Sequence, residues 1–251
     1  MPGRSSTPPN QFSRLRGRLL ARIHRRYGTI TAPLQLGEAQ IEFTRIADPN
    51  GVLDQVAEEE DLRERLHGRR DKNVARPQPL HLPYWAELWD SALAIAELML
   101  SGAGGGSAMR VLDLGCGMGL TGTAAALAGH HVLFADLEPP ALLFATLNSL
   151  QNHDRVRTRQ LDWRVDALHE EFDLIIGADI LYERSQWEYL EPFWRKHIAP
   201  GGSILLGEPG RQSGDLFVPW IQQRGWELEV TSHPVATRAA PIRLLRLKTK
   251  G

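Results

Sequence analysis

A glycine-rich turn with an acid just before it and another acid one strand later is the first set of residues whose types and spacing point to chemistry. The apolar run Val111-Leu112-Asp113-Leu114 passes into Gly115-Cys116-Gly117-Met118-Gly119, and the helix-forming stretch Thr121 to Ala128 follows. Glycines between a strand and a helix let the backbone turn sharply and let a ligand come close to it. Gly117, Gly119 and Gly122 also satisfy the spacing G-x-G-x-x-G, so the loop alone does not separate a nicotinamide dinucleotide from another adenosine-containing cofactor. Asp136, ending the next apolar run, does not separate them either, because a carboxylate there accepts ribose hydroxyls from both. Asp113 discriminates. Two residues before the first glycine, its carboxylate is expected to face the loop, repelling a pyrophosphate and attracting the sulfonium and ammonium of S-adenosylmethionine. The alternative for Asp113 is an acid that caps the loop. Cys116 has no obvious partner base and reads as space-filling, not as a nucleophile.

These residues need a scaffold, and the rhythm of the chain supplies one. Short apolar runs recur at Val111–Leu114, His131–Asp136, Phe172–Gly177 and Ser203–Leu206, with helical stretches between them. Near-continuous apolar strands alternating with helices predict a parallel sheet covered on both faces. Trp226–Val230 and Ile242–Leu247 follow each other with no helix between, so they are expected to be antiparallel neighbours. Asp179 follows the third run directly, at the carboxyl end of a strand, where open parallel sheets place their ligands. Upstream, Pro83 is expected to open a helix with Trp85, Leu88, Trp89, Ala92, Ile95, Ala96 and Met99 on one face. Pro33–Leu36 and Gln40–Ile46 around Gly37-Glu38 suggest a hairpin. Asp48-Pro49-Asn50-Gly51 suggests a turn, and Glu58 to Arg70 an exposed helix. Gly102 to Ser107 reads as a flexible link.

The 251 residues carry 29 Lys+Arg and 30 Asp+Glu, a formal charge of −1. One cysteine excludes an intramolecular disulfide and a cysteine-rich zinc site. No histidine pair has the H-E-x-x-H spacing, and no apolar run approaches the ~18 residues of a membrane span. The neutral total hides an asymmetry: residues 1–30 hold seven arginines and no acid. Residues 1–10 are expected to be disordered, and Leu15, Leu19, Leu20 and Ile23 lie on one face of a helix after them. A solvated amphipathic arm accounts for this pattern; an organelle-targeting segment accounts for it too, as does a nonspecific phosphate or membrane contact. The body is not basic and lacks the broad footprint of a specific nucleic-acid binder.

Taken together, Asp113 to Gly119, Asp136, Leu161-Asp162-Trp163, Gly177-Ala178-Asp179-Ile180-Leu181-Tyr182 and Pro200-Gly201-Gly202 resemble the seven-β-strand, S-adenosylmethionine-dependent methyltransferases. More narrowly, Pro83 to Trp89 and Asp179-x-x-Tyr182 are similar to the protein lysine methyltransferase family. Gly207-Glu208-Pro209-Gly210-Arg211 is similar to the branch that modifies the electron-transfer flavoprotein beta subunit, while Asp90-Ser91 is similar to other branches. The resemblance implies an α/β, doubly wound, Rossmann-like fold with a mostly parallel seven-stranded sheet over residues 80–251. A basic arm (1–28) and a hairpin and helix extension (29–79) precede it. It also implies that Gly115, Cys116 and Gly117 approach the methionine part of S-adenosyl-L-methionine and that Asp136 holds its ribose. Trp163 would lie against the adenine with Asp162 near its amino group, and Trp89 and Ala178 would complete the wall. Asp179 and Tyr182 would bind and orient the target amine, with Tyr84 and Trp85 as further candidates for the acceptor channel.

The expected activity is methyl transfer to a lysine of a protein substrate. A small amine acceptor is not separable from lysine by sequence. Nucleobase methylation would require Asn/Asp-Pro-Pro-aromatic where Ala178 to Tyr182 stand. A noncatalytic binding module is disfavoured by Asp113, Asp136 and Asp179 occurring together. The expected location is cytoplasmic, with a mitochondrial address on the arginine arm as the alternative.

Overall fold

Alternation along the central strands decides the architecture. In the computed structural model, Val111, Leu174, Ile176 and Leu205 enter one apolar core, while Leu112, Ile175, Ile204 and Leu206 enter another. Both faces of the sheet are therefore apolar and both must be covered. The structure describes residues 9–67, 82–102 and 107–250. In chain order its helices and strands begin with α1 (Pro9–Ile23), β1 (Thr29–Leu36), β2 (Ala39–Ile46), α2 (Pro49–His67) and α3 (Asp90–Leu100). The alternating part follows: β3 (Arg110–Leu114), α4 (Leu120–Leu127), β4 (His131–Asp136), α5 (Pro139–Asn148), β5 (Val156–Gln160), β6 (Phe172–Ala178), α6 (Trp187–His197) and β7 (Ile198–Glu208). It closes with α7 (Gln212–Gln223), β8 (Trp226–His233) and β9 (Ile242–Thr249).

Seven strands make one sheet in the order β5-β4-β3-β6-β7-β9-β8. The pairs from β5 to β7 are parallel, and β9 is antiparallel to both β7 and β8. Side chains of α3, α4, α5 and the β1–β2 hairpin fill one core; those of α6 and α7 fill the other. The doubly wound, mostly parallel sheet expected from the sequence is present. Its strand order reverses between β3 and β6, and the cavity lies at the carboxyl ends of those strands.

Several local expectations are corrected. β5 was not visible as an apolar run because it is an edge strand whose residues Arg157 to Gln160 are exposed. Asp48-Pro49-Asn50-Gly51 is not a free turn but the start of α2: the Asp48 carboxylate accepts from Gly51 N at 3.0 Å, leaving Pro49 at the first helical position, where its missing N–H costs nothing. The hairpin closes through Gly37-Glu38 as expected, but β1 starts at Thr29. No continuous helix runs from Pro83. Tyr84–Ala86 form a short 3-10 turn, Trp89 is extended, and α3 starts at Asp90. The Trp89 indole donates to Tyr84 O at 3.0 Å, which ties the two pieces across the break. Residues 1–8, 68–70 and 103–106 of the expected disordered start, exposed helix and link lie outside the described residues.

The arginine-rich α1 is docked and not simply solvated. Ile23 is 1% exposed, Leu19 and Leu20 pack on the same core, and Arg16 and Arg26 pair with Glu42 and Glu59. Asn148 joins the hairpin to the glycine loop: its side chain accepts from Thr44 N at 2.8 Å and donates to Thr44 O and Met118 O, both at 2.9 Å. Among the described residues no helix is long and apolar enough to cross a membrane.

Candidate active site

At the carboxyl ends of β3, β4 and β6 a cavity of about 590 Å³ opens, a size ordinary for a small-molecule site. It is lined by Trp89, Gly115, Cys116, Gly117, Asp136, Asp162, Trp163, Ala178, Asp179 and Tyr182. The structure thus brings together every residue singled out from the sequence except Asp113, which does not line it. Tyr84 and Trp85 line it as well.

Asp113 corrects the charge argument. It is 1% exposed, and its two oxygens lie 2.7 Å from the Thr121 hydroxyl, with Gly122 N donating at 2.8 Å. The carboxylate therefore faces the first turn of α4, where N–H groups lack helical partners, and not a ligand. Burial pushes it up to about 7, against the lowering effect of those two donors. Its effect on the site is indirect: it fixes α4, and α4 fixes the glycine loop.

Asp136 sits one strand over with its carboxylate at the loop. Gly117 N donates to Oδ2 at 2.8 Å and Glu138 N to Oδ1 at 2.9 Å. Burial pushes it up to about 6 despite these donors. Two accepted hydrogen bonds leave further lone pairs on both oxygens. Gly115 has φ +66, and a Cβ there would lie 3.0 Å from Ile180 Cγ2 and 3.7 Å from the Trp163 ring, so glycine suits this part of the cavity lining. Cys116 is buried, and burial holds its thiol well above the ordinary range, which fits a packing residue.

Trp163 is half-buried and its Nε1 donates to Gln186 Oε1 at 3.1 Å, which fixes the indole on the cavity wall. Asp162 is not a free acceptor: Arg164 grips it through Nε at 2.8 Å and Nη2 at 2.6 Å. Among the other lining residues, Tyr182 meets Tyr84 edge-on at 5.2 Å, and Tyr84 meets Trp89 at 6.2 Å. Burial and the nearby Glu183 push the Tyr182 phenol up to about 12, so it is neutral at physiological pH. Asp179 is 7% exposed and its two oxygens accept from Arg211 Nε at 3.1 Å and Nη2 at 2.8 Å.

Sequence reasoning missed Arg211 as a partner of this carboxylate. It lies 32 residues downstream, and only the β6–β7 pairing brings it near. Gln186, 23 residues after Trp163, was missed because only the fold brings it near; Arg164, two residues after Asp162, was within reach of the sequence and was overlooked. Among the described residues no group of His, Cys, Asp and Glu could hold a metal ion.

The sheet order, its antiparallel last pair and this cavity define the fold of the seven-stranded, class I methyltransferases. A glycopeptide N-methyltransferase, MtfA, solved with S-adenosyl-L-methionine, shares that fold: TM-score 0.54 at 16% identity, covering 62% of this chain and 87% of that one. The model of the family described as lysine methyltransferase matches residues 85–221, and the chain belongs to that family. The electron transfer flavoprotein beta subunit lysine methyltransferase of Danio rerio is 31% identical over 140 residues, 53% of this chain and 52% of that protein. The EEF1A lysine methyltransferase 3 of Mus musculus is 33% identical over 131 residues, 50% and 56% of the two chains. The matches span just over half the length of these relatives.

Proposed function

We propose that the protein transfers a methyl group from S-adenosyl-L-methionine to the side-chain amine of a lysine in a protein. The observation that carries this reading is one cavity whose lining holds Asp136, the bare Gly115 backbone and Trp163 together with Asp179, Tyr182, Tyr84 and Trp89. The residues present suit the cofactor. The unused lone pairs of Asp136 match a ribose diol, and the fixed indole of Trp163 offers a flat apolar face to an adenine. The Gly115 backbone permits close approach of a chain. Bound there, S-adenosyl-L-methionine supplies an electrophilic methyl group on sulfur.

The remaining work falls to the chain's own residues. An amine attacks through its lone pair, so the lysine ammonium first gives its proton to solvent water, and the protein then has to hold the neutral amine in line with the methyl group. Asp179, whose charge Arg211 already offsets, orients the amine through the acceptor sites its oxygens keep. The rings of Tyr182, Tyr84 and Trp89 attract a cation through their faces and exclude water around the aliphatic stem. Tyr182, neutral at physiological pH, serves as a hydrogen-bonding and packing group and not as an anionic base.

The test is incubation of the purified protein with methyl-labelled S-adenosyl-L-methionine and a protein extract, followed by complete hydrolysis. Label is expected in methylated lysine. The first purified acceptor to try is the electron transfer flavoprotein beta subunit, the substrate that gives the Danio rerio relative its name. Label confined to RNA or to a small amine overturns the lysine reading.

A further inference from the structure

We infer that Arg211 is a positioning residue for the acceptor: it acts through Asp179, and Glu208 in turn aims Arg211. This rests on the reading of Asp179 as the group that faces the target amine.

Asp179 is the one non-glycine residue with positive φ (+56) among the described residues, a conformation that persists only where its surroundings hold it. Three contacts do so. Its N–H donates to Gly207 O at 2.9 Å, and its carboxylate takes the two-pronged grip of Arg211. A fork of this kind fixes the rotation of the carboxylate plane as well as its place. Asp179 lines the cavity whereas Arg211 does not, so the guanidinium holds the carboxylate from outside. Each oxygen keeps a further acceptor site for a group within. The same guanidinium lies 5.6 Å from the Trp89 ring, so one arginine braces two walls of the acceptor side.

Arg211 is itself held. Glu208, 1% exposed at the end of β7, accepts from the N–H of Gly210 at 2.9 Å and from the N–H of Arg211. Arg243 on β9 donates Nε to Glu208 at 2.6 Å and reaches Asp215 on α7, also at 2.6 Å. The turn carrying Arg211 is thereby tied to the antiparallel edge of the sheet. A half-exposed arginine paired with a solvated acid contributes little. Here the acid is buried, conformationally constrained and on the cavity wall, and that difference makes the pair a positioning device.

The experiment measures Arg211→Gln, Arg211→Lys, Asp179→Asn and the double variant Asp179→Asn/Arg211→Gln with S-adenosyl-L-methionine and whichever amine acceptor the labelling identifies. Arg211→Gln is expected to lower kcat about tenfold or more, with the Kd for S-adenosylhomocysteine by calorimetry within about threefold of the parent. Arg211→Lys should recover part of kcat, because an ammonium supplies the charge without the fork. In the Asp179→Asn background, Arg211→Gln should cost less than about twofold, since its partner is already altered. An unchanged kcat, an equal loss in both backgrounds, or loss of S-adenosylhomocysteine binding overturns the inference. Should the parent protein label no amine, the methyl-transfer reading fails separately. The same cycle read by urea unfolding tells the two failures apart: coupling of about fivefold or more in the unfolding constant shows that Arg211 holds Asp179 and that the acceptor reading has failed, and independent effects overturn the Arg211–Asp179 coupling as well.

Discussion

Two aspartates at adjacent strand ends show how little the residue type says without its surroundings. Asp113 is spent on Thr121 and Gly122 inside the protein, whereas Asp136 keeps acceptor capacity at the cavity. Both stand above the ordinary carboxylate value of 3.8, about 7 and about 6, chiefly through burial. The folded protein therefore holds these protons more tightly than the unfolded chain does. Their contribution favours folding near pH 4 and is withdrawn as pH rises through about 6 for Asp136 and about 7 for Asp113. Ligand binding runs the other way, because a ribose diol needs an ionised acceptor. Calorimetry with S-adenosylhomocysteine is expected to show weaker binding at pH 5 than at pH 7.5, by up to about tenfold per pH unit below 6, and Asp136→Asn should flatten that dependence. Affinity independent of pH in the parent protein would remove Asp136 from the ribose contact.

At the scale of elements, the loop between β3 and α4 contains glycines with different duties. Gly119 has φ +81, and a Cβ there would sit 2.6 Å from Ala145 Cβ and 2.7 Å from Ala145 Cα on α5. Both atoms are fixed to the α5 backbone, so no flexible group can yield. Gly119→Ala is expected to cost about 2–4 kcal/mol in urea unfolding, the sum of overpacking and a left-handed alanine. Gly115 lines the cavity with φ +66, and the nearest atom to a Cβ there is the Cγ2 methyl of Ile180 at 3.0 Å, with no backbone in contact. Gly115→Ala also places alanine in the left-handed region, so it is expected to cost about 1–2 kcal/mol and to lower affinity for S-adenosylhomocysteine as well, without the clash against α5 that Gly119→Ala makes. Equal losses of stability in the two variants would contradict this division. The break before α3 belongs at this scale too: helical spacing of Trp85, Trp89 and Ala92 is real in the sequence, yet Trp89 is extended so that its indole reaches Tyr84 O and the cavity.

On the scale of the whole molecule, the N-terminal segment is joined to the site through packing. Tyr27 meets Trp85 edge-on at 5.3 Å, and Trp85 lines the cavity. Asn148 ties the hairpin to Met118 in the glycine loop. Deleting residues 1–28 removes Ile23 from the core and Tyr27 from Trp85, so the melting temperature is expected to fall by about 5–10 °C and cofactor affinity to fall with it. A shortened chain with unchanged melting and binding would show that α1 only rests on the surface. Arg14→Gln with Arg18→Gln serves as the control, since both side chains are exposed and the change should leave melting within about 1 °C.

The sequence by itself determined the parallel sheet, its antiparallel last pair, the glycine turn and the residues that gather around one cavity. Each of these is local: near-continuous apolar runs, glycine at a strand-to-helix turn and a carboxylate at a strand end are written within a few residues of one another. Only the tertiary structure decided what those carboxylates face. Asp113 turned inward to α4, and Asp179 was gripped by Arg211 from the turn between β7 and α7. The polar edge strand β5 and the docking of α1 were decided there as well, because strand pairing and side-chain partners depend on which distant segments the fold brings within about 3 Å, and no pattern along the chain carries that distance.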